Sequence, residues 1–202
     1  MSQITPPADV LERLEQAECL KIGGKYDEAL TILEELLLED PENVSALEEV
    51  ADNELSLHRY DRAEAAAQEA VTLDEQSYTG HYIIGFLHSH KGEWEQSVTA
   101  LRKANALKPN CPEILRCLGW ALFCDGQHAQ GIVTLERSLN LDQENTLTLC
   151  DLGVAYLQSR HFHKSRTLFS RALDLEPQNL RARECIEALD RMLRTSEPIR
   201  QG

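Results

Sequence analysis

The chain punctuates itself every 34 residues. Asp40-Pro41-Glu42-Asn43, Asp74-Glu75-Gln76-Ser77, Lys108-Pro109-Asn110-Cys111, Asp142-Gln143-Glu144-Asn145 and Glu176-Pro177-Gln178-Asn179 recur at that spacing. A repeat of this length is one supersecondary unit that cannot bury its own apolar face, so copies have to stack, and about three are the stable minimum. The register gives a nine-residue N-terminal extension (1–9), then one domain over 10–194, then a C-terminal tail (195–202). Within the domain lie five units, 10–43, 44–77, 78–111, 112–145 and 146–179, and a shorter helical segment, 180–194.

Small residues hold the eighth place of each unit (Ala17, Ala51, Gly85, Gly119, Gly153) and the twentieth (Ala29, Ala63, Ser97, Gly131, Ser165). Around them apolar positions recur at helical spacing, as in Leu149, Leu152 and Tyr156, so the first helix of a unit is amphipathic. Gly24, Gly92 and Gly126 mark a turn near the fifteenth place, where glycine adopts the left-handed conformation cheaply. His58 and Arg160 fill that place in the other two units. Second helices are predicted over 26–39, 60–73, 94–107, 129–141 and 162–175. No stretch alternates like a strand between turn signals, so the fold class is all-α.

These positions resemble the tetratricopeptide repeat family. Leu149, Leu152, Gly153, Tyr156, Ser165, Phe169, Ala172 and Pro177 match its signature in order, and the resemblance covers residues 10 to about 194. It implies a right-handed superhelical solenoid of antiparallel helix pairs. Arg13, Gln16 and Glu54 stand where the family has large apolar residues, and these faces are expected to be solvated. A polar outer face suits a terminal repeat, so the first unit is read as an N-terminal cap. At the other end Ala182, Ile186, Leu189 and Leu193 form a stripe expected to cover the fifth unit.

Composition points to a soluble, cytoplasmic chain: 42% hydrophobic and 27% charged residues. The opening residues lack a basic start and an apolar stretch, and the longest apolar run, 118–124, is too short to span a bilayer. Cys19, Cys111, Cys117, Cys124, Cys150 and Cys185 form no CxxC pair and read as reduced core thiols. Cys117, Cys150 and Cys185 fall at nearly equivalent places in three first helices, but helix axes roughly 8–10 Å apart hardly let them share an ion. His88/His90 and His161/His163 read as solvated turn histidines, since residues two apart on a helix face different ways. With no phosphate loop, metalloprotease helix or nucleophile elbow, no catalytic residue, metal or cofactor is expected.

Charge is unevenly placed. Residues 1–77 hold 20 acids and 5 bases, whereas 78–202 hold 14 acids and 15 bases, within a net charge of −14. An acidic total opposes nucleic-acid binding. The acidic end is either a solvating surface or a site for a basic partner. Glu48 and Asp52 lie one turn apart on a first helix and Glu18 holds the matching place one unit earlier, which would line up one stripe.

Places five, nine and twelve of the first helices form a face separate from the packing set. In the family resembled, that face lines the concave groove. Here it reads Tyr82, Phe86 and Ser89, then Arg116, Trp120 and Phe123, then Cys150, Val154 and Leu157. The side chains either pack between neighbouring first helices or anchor a peptide. Family members that clamp a terminal carboxylate use Lys, Asn and Arg. This chain offers Leu14, Glu18, Glu48, Glu49 and Asp52 instead, so acidic chaperone tails are not expected as ligands, and Arg116 alone is placed to meet a carboxylate.

The sequence thus predicts a non-enzymatic scaffold or adaptor that binds a protein or peptide with apolar and basic segments. Its site residues are Tyr82, Phe86, Arg116, Trp120, Phe123, Val154, Leu157, Glu18, Glu48 and Asp52, with no nucleic acid and no membrane insertion. The alternatives are a homo-oligomerising assembly protein, a small secretion-type chaperone, and an enzyme with a hidden thiol or metal site.

Overall fold

The computed structural model describes residues 8–196, with side chains from Asp9 to Met192. Most of the predicted N-terminal extension, most of the C-terminal tail and the side chain of Leu193 lie outside the described residues. Eleven helices and no strand occur among them. The chain divides between Pro109 and Asn110 into two compact units, each described on its own.

The first unit holds α1 (Ala8–Ile22), α2 (Tyr26–Glu39), α3 (Val44–Ser56), α4 (Tyr60–Leu73), α5 (Tyr78–Lys91) and α6 (Trp94–Leu107). Each helix packs on its successor, and the odd-numbered helices also touch in order, α1 on α3 and α3 on α5. The recurring punctuation has a local cause: its last residue caps the next first helix. Asn43 Oδ1 accepts from the Ala46 amide at 3.0 Å and Ser77 Oγ from the Gly80 amide at 2.9 Å. Each cap satisfies an otherwise unpaired helix-terminal N–H, worth about 1 kcal/mol.

The small residues set helix separation. Ala17, Ala29, Ala51 and Ala63 are fully buried. At Gly85 an added Cβ would lie 2.6 Å from Leu101 Cγ, and Ser97 Oγ donates to the Gly85 carbonyl at 2.8 Å. Leu30, Leu33, Leu36, Val50, Ile83 and Leu87 fill the core between helices. The turn at the fifteenth place is left-handed whichever residue holds it: Gly24 and Gly92 have φ of 73° and 76°, and His58 has 58°.

Glu54 corrects the expectation of a solvated face. Its side chain is 0% exposed, with Arg62 Nη1 at 2.9 Å and Arg59 Nη1 at 3.6 Å. These are ion pairs without aligned hydrogen bonds, so the carboxylate oxygens and the buried Asn53 Oδ1 lack a hydrogen-bond partner. The two arginines reach outward as well, Arg59 to Asp27 at 2.8 Å and Arg62 to Glu34 at 2.6 Å. Arg13 pairs with Glu39 at 3.0 Å, Lys21 with Glu49 and Lys25 with Glu28, so all five bases of residues 1–77 are ion-paired.

The second unit holds α7 (Pro112–Cys124), α8 (His128–Leu141), α9 (Thr146–Gln158), α10 (Phe162–Leu175) and α11 (Leu180–Ser196). Successive helices pack pairwise, and α9 touches both α7 and α11. The helix α8 starts at His128, one residue before the predicted 129. Asn145 caps α9 and Asn179 caps α11, through amide bonds of 2.9 and 3.0 Å. Helix α7 has no side-chain cap bond from Cys111. It begins with Pro112 instead, whose missing N–H would have been unpaired there anyway. An added Cβ on Gly131 would sit 2.7 Å from the Gly119 carbonyl oxygen, and Ser165 Oγ donates to the Gly153 carbonyl at 2.8 Å. Arg160, like Gly126, takes positive φ at the turn. Ala182 and Leu189 of α11 are fully buried with Phe169 and Leu149, and Ile186 packs against them. No helix among the described residues is long and apolar enough to cross a membrane.

Candidate groove on the first helices

In the first unit the candidate residues come from α1, α3 and α5. Glu18 is exposed, whereas Glu48, Asp52, Tyr82 and Phe86 are partly buried. The acids do not stand as one free stripe. Lys21 Nζ, on α1, bridges Glu49 Oε2 at 2.6 Å and Asp52 Oδ2 at 3.0 Å on α3. Burial opposes the Lys21 charge, but the two carboxylates outweigh it and its pKa is raised. Glu48 turns to the neighbouring helix start, accepting from Ser77 Oγ at 2.5 Å. Burial raises its pKa, with Asp74 and Glu49 adding to the effect.

Sequence reasoning missed Lys21, although it occupies the twelfth place of the first unit, in register with the stripe. Tyr82 and Phe86 rest against the buried core of the unit and keep part of their surface outward.

In the second unit Arg116, Trp120 and Phe123 stand on α7, and Cys150, Val154 and Leu157 on α9. Arg116 is already engaged: its Nη1 donates to Asp151 Oδ2 at 3.1 Å, while Arg181 Nη1 of α11 donates to Asp151 Oδ1 at 2.7 Å. One buried carboxylate therefore ties three first helices of this unit. Asp151 follows Cys150 in register, and Arg181 opens α11. Neither was singled out in the sequence, because their pairing is visible only once the helices are adjacent.

Trp120 is partly exposed and lies nearly parallel to Phe123, centroids 6.2 Å apart at 19°, and the Arg181 guanidinium sits 5.7 Å from its ring. Phe123 is 2% exposed and also meets His128 at 4.6 Å, so it supports the indole from beneath. Val154 and Leu157 are partly buried against the cluster of Leu149, Cys150 and Phe169. The structure thus brings Arg116, Trp120 and Phe123 together.

Three of the thiols are held toward their neutral form. Burial pushes Cys150 to about 11 and Cys124 to about 11, and it raises Cys185 as well. Among the described residues no three His, Cys, Asp or Glu side chains are placed to hold a metal ion. The histidines have ordinary contacts: His88 Nδ1 lies 2.6 Å from Glu93 Oε2, His90 packs on Tyr60 and His161 on Tyr156.

Residues 23–78 and 148–179 each match a family model described as tetratricopeptide repeat. A BBSome complex member BBS4 homolog of Drosophila melanogaster is 23% identical over 179 residues, covering 88% of this chain and 36% of that protein. The chain therefore spans about a third of that relative's length. TTC0263, a thermophilic TPR protein of Thermus thermophilus, aligns with a TM-score of 0.68 at 21% identity, covering 89% of this chain and 97% of that one. YrrB, described as a TPR protein with an unusual peptide-binding site, aligns with a TM-score of 0.65 at 16% identity, covering 87% and 90%. Likeness at these identities extends to the fold.

Proposed function

Because this chain is a tetratricopeptide-repeat protein, we propose that it is a scaffold or adaptor, binding a protein segment on the first-helix face of its repeats without chemistry. The observation that carries the reading is Trp120. A large aromatic side chain, backed by Phe123 and flanked by Arg181, keeps an outward surface although it lies against a packed helix pair. Rigid aromatic anchors of this kind dominate binding energy at interfaces. Val154 and Leu157 extend the apolar surface in the second unit, and Tyr82 and Phe86 supply it in the first. Glu18, Glu48 and Asp52 favour a partner segment with basic residues there. Six cysteines that form no disulfide among the described residues fit a reducing compartment, and we place the protein in the cytoplasm.

The test is capture of partners from native cell extract by the wild type and by a Phe86→Ala/Trp120→Ala double variant of unchanged helicity. The reading expects the captured protein to be lost. Equal retention by the double variant would remove the first-helix face from the proposal.

A further inference from the structure

The second helices of the second unit carry a separate cleft, away from the first-helix stripe. Between α8 and α10 lies a depression of about 540 Å³, floored by Leu139, Leu152 and Leu168. Its polar borders differ. On the α8 side, the partly buried Glu136 lines the cleft and accepts from the Tyr156 hydroxyl, a contact that, after burial, holds the phenol up at about 12. On the α10 side, His163 and Lys164 line the rim and Lys164 Nζ sits 4.8 Å from the Tyr156 ring. Arg171, two turns beyond Lys164, is exposed on the same helical face. Val133, one turn before Glu136, is 63% exposed, extending the apolar surface along α8.

The same repeat place occurs 68 residues earlier, in the first unit. That cleft, of about 580 Å³, replaces Leu139, Leu152 and Leu168 by Val71, Ile84 and Ala100, and Lys164 by Gln96. At these places the second unit carries a leucine floor and a lysine where the first has Val71, Ile84, Ala100 and Gln96, while Lys103, at the place of Arg171, lines the first-unit cleft as well.

We propose that this cleft docks an acidic amphipathic protein segment, a leucine-sized side chain resting on the three leucines and carboxylates facing Lys164 and Arg171. Charge selects the occupant: a basic segment would meet like charge on α10, and like-charge juxtaposition discriminates strongly between partners. The site is independent of the first-helix face and favours the opposite sign of partner charge from the acids of the first unit.

The probes are two synthetic 12-residue helical peptides, one of Leu and Glu and its Leu and Lys counterpart, titrated into the full chain with methyl-labelled Leu and Val. The Leu/Glu peptide is expected to shift the methyls of Leu139, Leu152 and Leu168. Lys164→Glu is expected to weaken it about fivefold, by reversing a partly exposed charge. Val133→Asp, a second exposed substitution that leaves the core intact, weakens it as well. Shifts confined to Val154 and Leu157, equal binding of the Leu/Lys peptide, or affinity unchanged by both substitutions would each overturn the proposal. The Phe86→Ala/Trp120→Ala variant leaves this cleft unaltered, so failure of the first-helix reading and failure of this one are told apart.

Discussion

Replacing Asp151 by Asn keeps the volume and one acceptor but removes the charge that two guanidiniums share. The Asp151 side chain is 7% exposed and that of Arg116 17%, so this pair is close to buried. Removing one partner of a fully buried pair costs about 3–5 kcal/mol, because the other charge stays desolvated. Arg181 is 44% exposed and regains water, so its bond adds at most about 1 kcal/mol. The Asn carbonyl recovers part of the loss, leaving roughly 2–3 kcal/mol. The chain has two tryptophans, Trp94 in the first unit and Trp120 in the second. Urea unfolding in a Trp94→Phe background therefore reports the second unit alone. With a slope of about 1.5 kcal/mol/M, the midpoint should fall by roughly 1.3–2 M. Arg181→Ala should move it by less than about 0.7 M. A change under about 0.3 M for Asp151→Asn, or equal effects of the two substitutions, would refute the argument that the buried half of this triad carries the stability.

Three further outcomes are expected. Glu54→Leu exchanges an unsatisfied buried carboxylate for the side-chain type found at the same repeat place in Leu20 and Leu122, and Arg59 and Arg62 keep Asp27 and Glu34. Stability reported by Trp94, in a Trp120→Phe background, should be unchanged or raised by about 1–2 kcal/mol, and a loss above about 1 kcal/mol would contradict this. Arg160→Gly relieves a non-glycine residue at φ 61° and should raise the second unit's urea midpoint by the equivalent of about 0.5–1 kcal/mol, whereas a loss would show that the arginine side chain matters more than the turn. Alkali should weaken the second unit: Cys124 and Cys150 rise from their ordinary 9.0 to about 11, and Tyr156 from 10.0 to about 12. The fold favours the protonated forms, so their contribution is intact below pH 9 and lost as pH rises from 9 to about 11 for the thiols and from 10 to about 12 for the phenol. A Trp120-reported midpoint that stays level from about pH 8 to 11 would oppose that sign.

Much of the fold is legible from residues that act locally. Asn43, Ser77, Asn145 and Asn179 announce first-helix starts because an N-cap needs a short acceptor side chain, and the small eighth and twentieth places announce helix contact because nothing larger fits at Gly85 or Gly131. What escaped depends on neighbours far away in sequence. Glu54 reads as solvated until Arg59, at the start of the following helix, and Arg62, within it, fold back over it. Arg116 reads as available until Asp151, 35 residues on, takes it. Phe123 is in register with a surface stripe, yet it lies beneath Trp120. Periodicity assigns a face but not the depth at which a side chain sits on it.

The pairing of every base in residues 1–77 makes this stretch behave as a polyelectrolyte. Twenty acids share five cations of the same stretch, and none of those five is spare. The surplus negative charge is balanced by mobile cations of the medium, whose layer contracts from about 30 Å at 0.01 M to about 8 Å at 0.15 M ionic strength. A basic partner of the kind proposed would gain from the release of that layer, so dilution of the surrounding salt would strengthen the attraction while loosening the acidic stretch through its own repulsion.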